Sequence, residues 1–441
     1  MTKEFNLSIP EKMKHSFCAA KWHWVTLHFG MQSNHSCYHP EPKHWELSDI
    51  ENNPSGLHNT KWKKEQRKKM LNGERPEECH YCWNFEDLDD TLISDRKNFS
   101  SAGGMFSNEI PEIVKMTGDE NINPKYIEVS FNHSCNLACS YCSPGQSSRW
   151  HEEIRKHGPY PVEDPTVRHI HDMVDEDENP YIEAFWKWLP ECYSDLKVLR
   201  LTGGEPLMSS SADKLLDYVI QMPINEELDF AYNTNLCTPD RRITHLIKKA
   251  KQINEKVREF RIYTSAEAFG EQAEYIRYGF EWDKWCKNTR RVLEEGIVVS
   301  VMCTFGILSI VNFNKFVEQI FLWREEGLPV RFSVSTLINP NHFDVRLLPD
   351  IYDKYIEEIQ DFYNKNHDRF LAPEKRTMEN LFKFCKNKDY KNDSEKAALL
   401  RDFSRFFREY DKRRNLNFLD IFPELSDLYK DSNSIDVKQL T

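Results

Sequence analysis

The chain has 441 residues, of which 39% are apolar and 13% aromatic, and it carries a formal net charge of −12. Such a length buries a large core and accommodates more than one domain, while the acidic balance argues against broad contact with a phosphate backbone, so no nucleic-acid partner is expected. Residues Met1 to Phe17 have scattered charges and no apolar core, so they do not read as a secretory signal and a cytoplasmic setting is expected.

In chain order, the first hundred residues are rich in Trp, His and Cys, and four cysteines stand out: Cys18, Cys37 and the close pair Cys79 and Cys82. Four thiolates can enclose a 4Fe-4S cluster or a tetrahedral zinc, and their spacing alone does not separate the two. The basic run Lys61, Lys63, Lys64, Arg67, Lys68 and Lys69 is read as the solvated face of a helix.

From Lys125 onward short apolar runs alternate with amphipathic segments, the pattern of repeated strand-helix units and a parallel sheet. Six strands are expected, near Lys125 to Phe131, Lys197 to Thr202, Glu227 to Tyr232, Glu259 to Thr264, Ile297 to Thr304 and Pro329 to Ser335. Helices are expected between them at Tyr181 to Leu189, Ala212 to Gln221, Arg241 to Lys251, Asp283 to Glu295 and Phe313 to Glu326. Six units suit an open or partial barrel better than a closed eight-fold one. The acidic stretch Gly158 to Pro180 is read as a solvated insertion. The longest apolar stretch, Gly296 to Val311, is interrupted by Ser300, Thr304, Gly306 and Ser309 and falls short of the ~20 residues of a spanning helix. It reads as a buried strand entering a helix, and no membrane contact is expected. After Pro340 follows a helical tail dense in Lys, Glu, Phe and Leu.

The chain has twelve cysteines. In a reducing compartment clustered thiols point to metal rather than disulfides. Cys135, Cys139 and Cys142, separated by three residues and then two, directly follow the first expected barrel strand, so they sit at the carboxyl end of the sheet, where barrel enzymes place their chemistry. Such a loop supplies thiolates to three corners of a cubic cluster and leaves the fourth iron open. A zinc site would need a fourth ligand, for which His133 or His151 is available.

With Tyr141 before its last cysteine, this loop resembles the radical SAM family signature. The resemblance implies a 4Fe-4S cluster whose open iron chelates S-adenosylmethionine, reductive cleavage to a 5'-deoxyadenosyl radical, and abstraction of a substrate hydrogen. It places Tyr141 near the adenine. The second strand runs into Gly203, Gly204, Glu205 and Pro206; a glycine pair at a strand end implies close backbone approach, and the resemblance assigns the strand edge and Glu205 to the methionyl ammonium group. Asn235 and Ser265, after the third and fourth strands, and Arg277, a guanidinium fork suited to a carboxylate, are expected to complete the cofactor contacts.

The N-terminal cysteines, with Gly30, Asn59 to Arg67 and Met70 to Trp83, resemble the twitch or SPASM-type module that holds an auxiliary 4Fe-4S cluster. It departs from the usual form by preceding the barrel and by having six residues, not four, between Gly30 and Cys37. The fold expected is therefore α/β, a partial (β/α)6 TIM-like barrel of the radical SAM type over 122–340, with the cysteine-rich auxiliary module at 1–100 and a C-terminal helical extension at 341–441. The partners implied are a flavodoxin or ferredoxin electron donor and a peptide or small-molecule substrate. The rival reading is a non-catalytic zinc- or cluster-binding scaffold. Of the remaining thiols, Cys237 and Cys303 are candidate hydrogen-atom donors, and Glu267 and Asp344 are candidate bases.

Overall fold

Eleven strands are formed in the computed structural model of the protein, which describes residues 8–87, 94–168, 170 and 172–429. The N-terminal region supplies β1 (Trp24–His28), β2 (Ser33–His35) and β3 (Lys43–His44). The barrel follows with β4 (Tyr126–Ser130), the short β5 (Ala138–Cys139), β6 (Val198–Thr202), β7 (Asn225–Asn233), β8 (Val257–Ser265), the short β9 (Arg277–Tyr278), β10 (Val298–Phe305) and β11 (Val330–Thr336). All six expected barrel strands are present within a few residues of their expected ends. The five helices between them also form, at Pro180–Cys192, Ser210–Gln221, Asp240–Asn254, Trp282–Glu294 and Phe313–Glu325. Apolar residues at three-to-four spacing place one stripe of each against the sheet.

The main sheet runs β11-β10-β8-β7-β6-β4-β1-β2-β3. Strands β4, β6, β7, β8, β10 and β11 are parallel neighbours, the arrangement of a mixed α/β partial TIM-like barrel. Five strands were not anticipated, β1, β2, β3, β5 and β9, and of these β1 pairs parallel with β4, Trp24 opposite Tyr126 and His28 opposite Ser130. The N-terminal region thus extends the barrel sheet at its β4 edge and caps it with the antiparallel β2 and β3.

The basic run is only partly a solvated face: Lys61 and Lys69 are exposed and Lys64 and Lys68 half-buried. In the helix Lys61–Leu71, Lys63 and Arg67 are buried. Lys63 Nζ donates to the Trp24 carbonyl at 2.8 Å, and Arg67 donates to the Lys21 carbonyl and to Asn59 Oδ1. These cations satisfy backbone acceptors of the segment leading into β1, a function that periodicity of charge does not reveal. The insertion after the first strand is likewise not simply solvated: Tyr160, Val162 and Val167 are buried in the main core, and Glu176 accepts from Ser210 Oγ and Ser211 N. Its His169 and His171 lie outside the described residues.

Two apolar cores result. The larger spans the barrel, its helices and the tail; the smaller gathers Phe17, Trp22, Met70, Trp83, Phe106 and Ile110 around the N-terminal cysteines. The tail forms helices at Asp353–Lys365, Ala372–Lys386 and Asp393–Arg414. The last of these packs Phe403, Phe406, Phe407 and Tyr410 into the main core. Among the described residues no helix is long and apolar enough to cross a membrane.

Candidate functional site

Each barrel strand delivers its last residues to one end of the sheet, and the cysteine loop leaves β4 at that end. Inside the loop, β5 pairs antiparallel with β9, setting Cys139 opposite Arg277, and the Ser140 amide donates to the Ile276 carbonyl at 2.7 Å. The following helix, Ser148–His157, fixes the other side: Cys135 N donates to Ser148 Oγ, Trp150 Nε1 to the Cys139 carbonyl and Ser147 Oγ to the Leu137 carbonyl. The three thiols are thereby held on a clasped backbone.

A cleft of about 240 Å³ opens over them. Cys135, Cys139, Cys142, Tyr141, Gly203, Gly204, Asn235, Ser265 and Arg277 all line it, so the structure brings together every expected residue of this site except Glu205. The glycine pair approaches closely, as its composition implies, and the partner is the cysteine loop itself. A Cβ on Gly204 would stand 2.5 Å from the Ser134 oxygen and 2.6 Å from that of His133, and one on Gly203 2.9 Å from the Asn132 oxygen. Gly203 also has φ +124, outside the range favoured by residues with a Cβ.

Glu205 is buried and turned away from the cleft. Its carboxylate accepts from Leu207 N at 3.0 Å, Thr234 Oγ1 at 2.8 Å and Asn235 N at 2.7 Å. Burial raises its pKa to about 7 against those three donors. As it stands it ties the end of β6 to the end of β7 and thereby orients Asn235, whose Nδ2 reaches Asn136 Oδ1 at 2.8 Å.

Arg277 is also committed. Its Nε and Nη2 donate to Glu267 Oε2 at 2.9 and 2.8 Å, Nη2 reaches the Tyr141 hydroxyl, and Nη1 faces Cys139 Sγ at 3.7 Å. Burial raises the Cys139 pKa, and the guanidinium opposes that shift, so it favours the thiolate form a metal requires. Glu267 is buried with Oε1 unpartnered, and Asp344 accepts from Arg346; neither is a solvated loop carboxylate. Cys237 and Cys303 are buried and line neither this cleft nor the second one described below.

The N-terminal thiols also converge. Cys18 and Cys82 are buried in the smaller core, with Cys37 and Cys79 packed against it, and burial raises the Cys18 pKa, with the other three thiols adding to the shift. Beside them Lys21, buried and paired with Glu78, is held above its ordinary pKa: burial lowers it, but Cys79 and Glu78 outweigh that loss. Sequence reasoning missed Lys21, whose signal would have been a lone lysine in a run between Phe17 and Trp24 that is apolar but for His23. A buried cation beside four thiols fits an anionic thiolate-bound group. The loop thiols, gathered on one cleft wall beside a guanidinium, fit one in the same way. As the side chains stand, no three His, Cys, Asp or Glu groups among the described residues could hold a single metal ion.

Residues 129–321 match the radical SAM superfamily. The chain is 25% identical over 210 residues to GTP 3',8-cyclase from Clostridium perfringens (strain 13 / Type A), covering 47% of this chain and 54% of the cyclase. Among solved structures it is similar to Streptococcus suis SuiB bound to S-adenosylmethionine, at 13% identity and a TM-score of 0.35, covering 59% of this chain and 50% of that one. It is also similar to native anSMEcpe with bound AdoMet, at 16% identity and a TM-score of 0.34, covering 54% and 60%. The chain therefore spans about half the length of the curated relative it matches. It carries a radical SAM domain, the domain of an enzyme superfamily. S-adenosylmethionine and a 4Fe-4S cluster are the cofactors that domain implies.

Proposed function

We propose that this chain cleaves S-adenosylmethionine reductively at a 4Fe-4S cluster held by Cys135, Cys139 and Cys142, and uses the resulting radical to modify a peptide or small-molecule substrate. The observation that carries the reading is the single cleft onto which the three thiols, the glycine pair, Asn235, Ser265 and Arg277 open. Cys135, Cys139 and Cys142 would hold the cluster, which would supply the electron for reductive cleavage of the sulfonium. The chain's own part is to bind and orient. Without side chains, Gly203 and Gly204 let the cysteine loop pack against the strand end while still lining the cleft that takes the methionyl group, and the amide of Asn235 and hydroxyl of Ser265 offer hydrogen bonds to the ribose and carboxylate. Tyr141 screens the loop from water, and Arg277 balances the charge of Cys139.

Cys18, Cys37, Cys79 and Cys82 hold a second, auxiliary 4Fe-4S cluster in this reading, with Lys21 as its buried counter-charge. The domains divide as 1–100, 122–340 and 341–441, with β1 of the first completing the sheet of the second. A flavodoxin or ferredoxin delivers the electron in the cytoplasm.

Anaerobic reconstitution tests the reading. Roughly eight irons per chain are expected with both cysteine groups loaded, and roughly four in Cys139→Ala, together with loss of 5'-deoxyadenosine formation. Zinc in place of iron would establish the scaffold alternative, and wild-type protein that is loaded and reduced but forms no 5'-deoxyadenosine would overturn the proposal.

A further inference from the structure

A second cleft, of about 280 Å³, adjoins the first and shares Gln146, Gly203, Gly204 and Asn233 with it. It runs from that shared rim into the barrel, toward the N-terminal strands: His28 of β1 and Tyr38, the residue after Cys37, form its far wall. Its polar floor is a pair of neighbours across β4 and β6, Glu128 and Arg200. The remaining walls include the thioethers of Met31, Met173 and Met302.

The floor pair is incompletely satisfied. Glu128 Oε1 accepts from Thr202 Oγ1 at 3.3 Å, but Oε2 is buried without a hydrogen-bond partner and lies 3.9 Å from Arg200 Nε, beyond hydrogen-bond reach. Arg200 Nε donates to Asn233 Oδ1 and Nη1 to the Tyr38 hydroxyl, while Nη2 meets only the weak acceptor Met302 Sδ at 3.4 Å. An unmet acceptor and an under-used donor thus stand side by side, in a cleft whose charged lining residues are one carboxylate and one guanidinium. His28 adds no charge near neutral pH, because burial lowers its pKa to about 4. It hydrogen-bonds His35, which burial likewise lowers, together with the neighbouring imidazole.

We propose that this second cleft is the substrate site, that Glu128 and Arg200 determine its specificity, and that it takes an uncharged peptide amide with an apolar side chain. The N–H of one residue in extended conformation meets Glu128 and the C=O of the same residue, which points to the same side, meets Arg200, while the thioethers and the Tyr38 ring receive its side chain. The N–H and C=O of that one residue then complete what the floor lacks, and neither charge is left buried and unmatched. A polyphosphate is excluded: one guanidinium already facing a carboxylate cannot neutralise several negative charges in a desolvated cleft. The inference rests on reading the first cleft as the S-adenosylmethionine site, since the shared rim is what places the amide beside the reacting carbon.

Reconstituted full-length protein with S-adenosylmethionine present would be titrated with N-acetyl-L-leucine methylamide and, separately, with GTP, following binding by calorimetry. Saturable binding of the capped leucine and none of GTP is expected, with at least a tenfold loss of affinity in Arg200→Met and in Glu128→Gln; two variants on different strands guard against one that fails to fold. GTP binding in the cleft, equal affinity of the folded variants for the capped leucine, or no saturable binding of it to wild type would each overturn the proposal. The underlying reading is judged apart from this, by 5'-deoxyadenosine formed by dithionite-reduced wild type without any probe.

Discussion

Replacing Gly204 by alanine should detach the cysteine loop from the sheet. The new methyl group would lie 2.5 Å from the Ser134 oxygen and 2.6 Å from that of His133, about 0.9 Å inside ordinary contact distance. Both are backbone atoms, so no side chain can swing aside. Ser134 also cannot retreat freely, because its carbonyl accepts the Glu205 amide at 2.7 Å. Overpacking of this kind costs about 1–3 kcal/mol, and the strained hydrogen bond adds about 1 kcal/mol. Since Ser134 adjoins Cys135, the displacement falls on the first thiolate. Gly296→Ala serves as the comparison, for its Cβ would enter open space at φ +75 and cost about 1 kcal/mol in backbone strain alone. Thermal unfolding and iron content after reconstitution should separate the two: Gly204→Ala melts lower and loses loop iron, whereas Gly296→Ala loads normally. Equal iron content and equal melting in Gly204→Ala and wild type would refute the close-packing account of the glycine pair.

Two other outcomes follow from buried carboxylates. Burial lifts Glu205 to about pH 7 from an ordinary 4.5, so the folded chain holds that proton more tightly than the unfolded chain does. The stability this contributes is present below pH 4.5 and is lost as pH rises through 7, by up to roughly 3 kcal/mol. Urea unfolding before reconstitution, at pH 5 and pH 7.5, should show a smaller decline in Glu205→Gln than in wild type; parallel declines would count against it. Asp411 accepts from Tyr275 Oη and Tyr429 Oη at 2.6 Å and from Phe418 N at 2.8 Å. Asp411→Ala should cost about 2–4 kcal/mol, because a buried network loses its common acceptor, and a melting temperature within one degree of wild type would reject that.

Much of the barrel was legible because its signals are local. Apolar runs of five to nine residues, each followed by an amphipathic helix, gave strands β4, β6, β7, β8, β10 and β11, and the three-cysteine spacing marked the loop. What escaped were features decided by partners far away in sequence. β1 reads Trp, Val, Thr, Leu and His, too short and too uniformly buried to show alternation, and its place in the sheet depends on β4 about a hundred residues later. Lys63 and Arg67 look like solvent-facing charges until the carbonyls of Lys21 and Trp24 arrive beneath them. Glu205 is turned inward by three donors, two of them just past the end of β7.

The tail's grip on Tyr275 bears on the order in which the protein is made. Tyr275 lies two residues before Arg277, whose short strand clasps Cys139, and its partners are Asp411 and Tyr410, the latter donating to the Tyr275 carbonyl at 2.8 Å. A ribosome that has released the cysteine loop and the whole barrel has still not supplied the residues that brace this clasp. Loop and brace are separated by more than a hundred residues of translation, so the chain emerges with its cysteine loop shaped but unsecured. Loss of the helix Asp393–Arg414 would therefore be felt first at Cys139, far upstream in the chain.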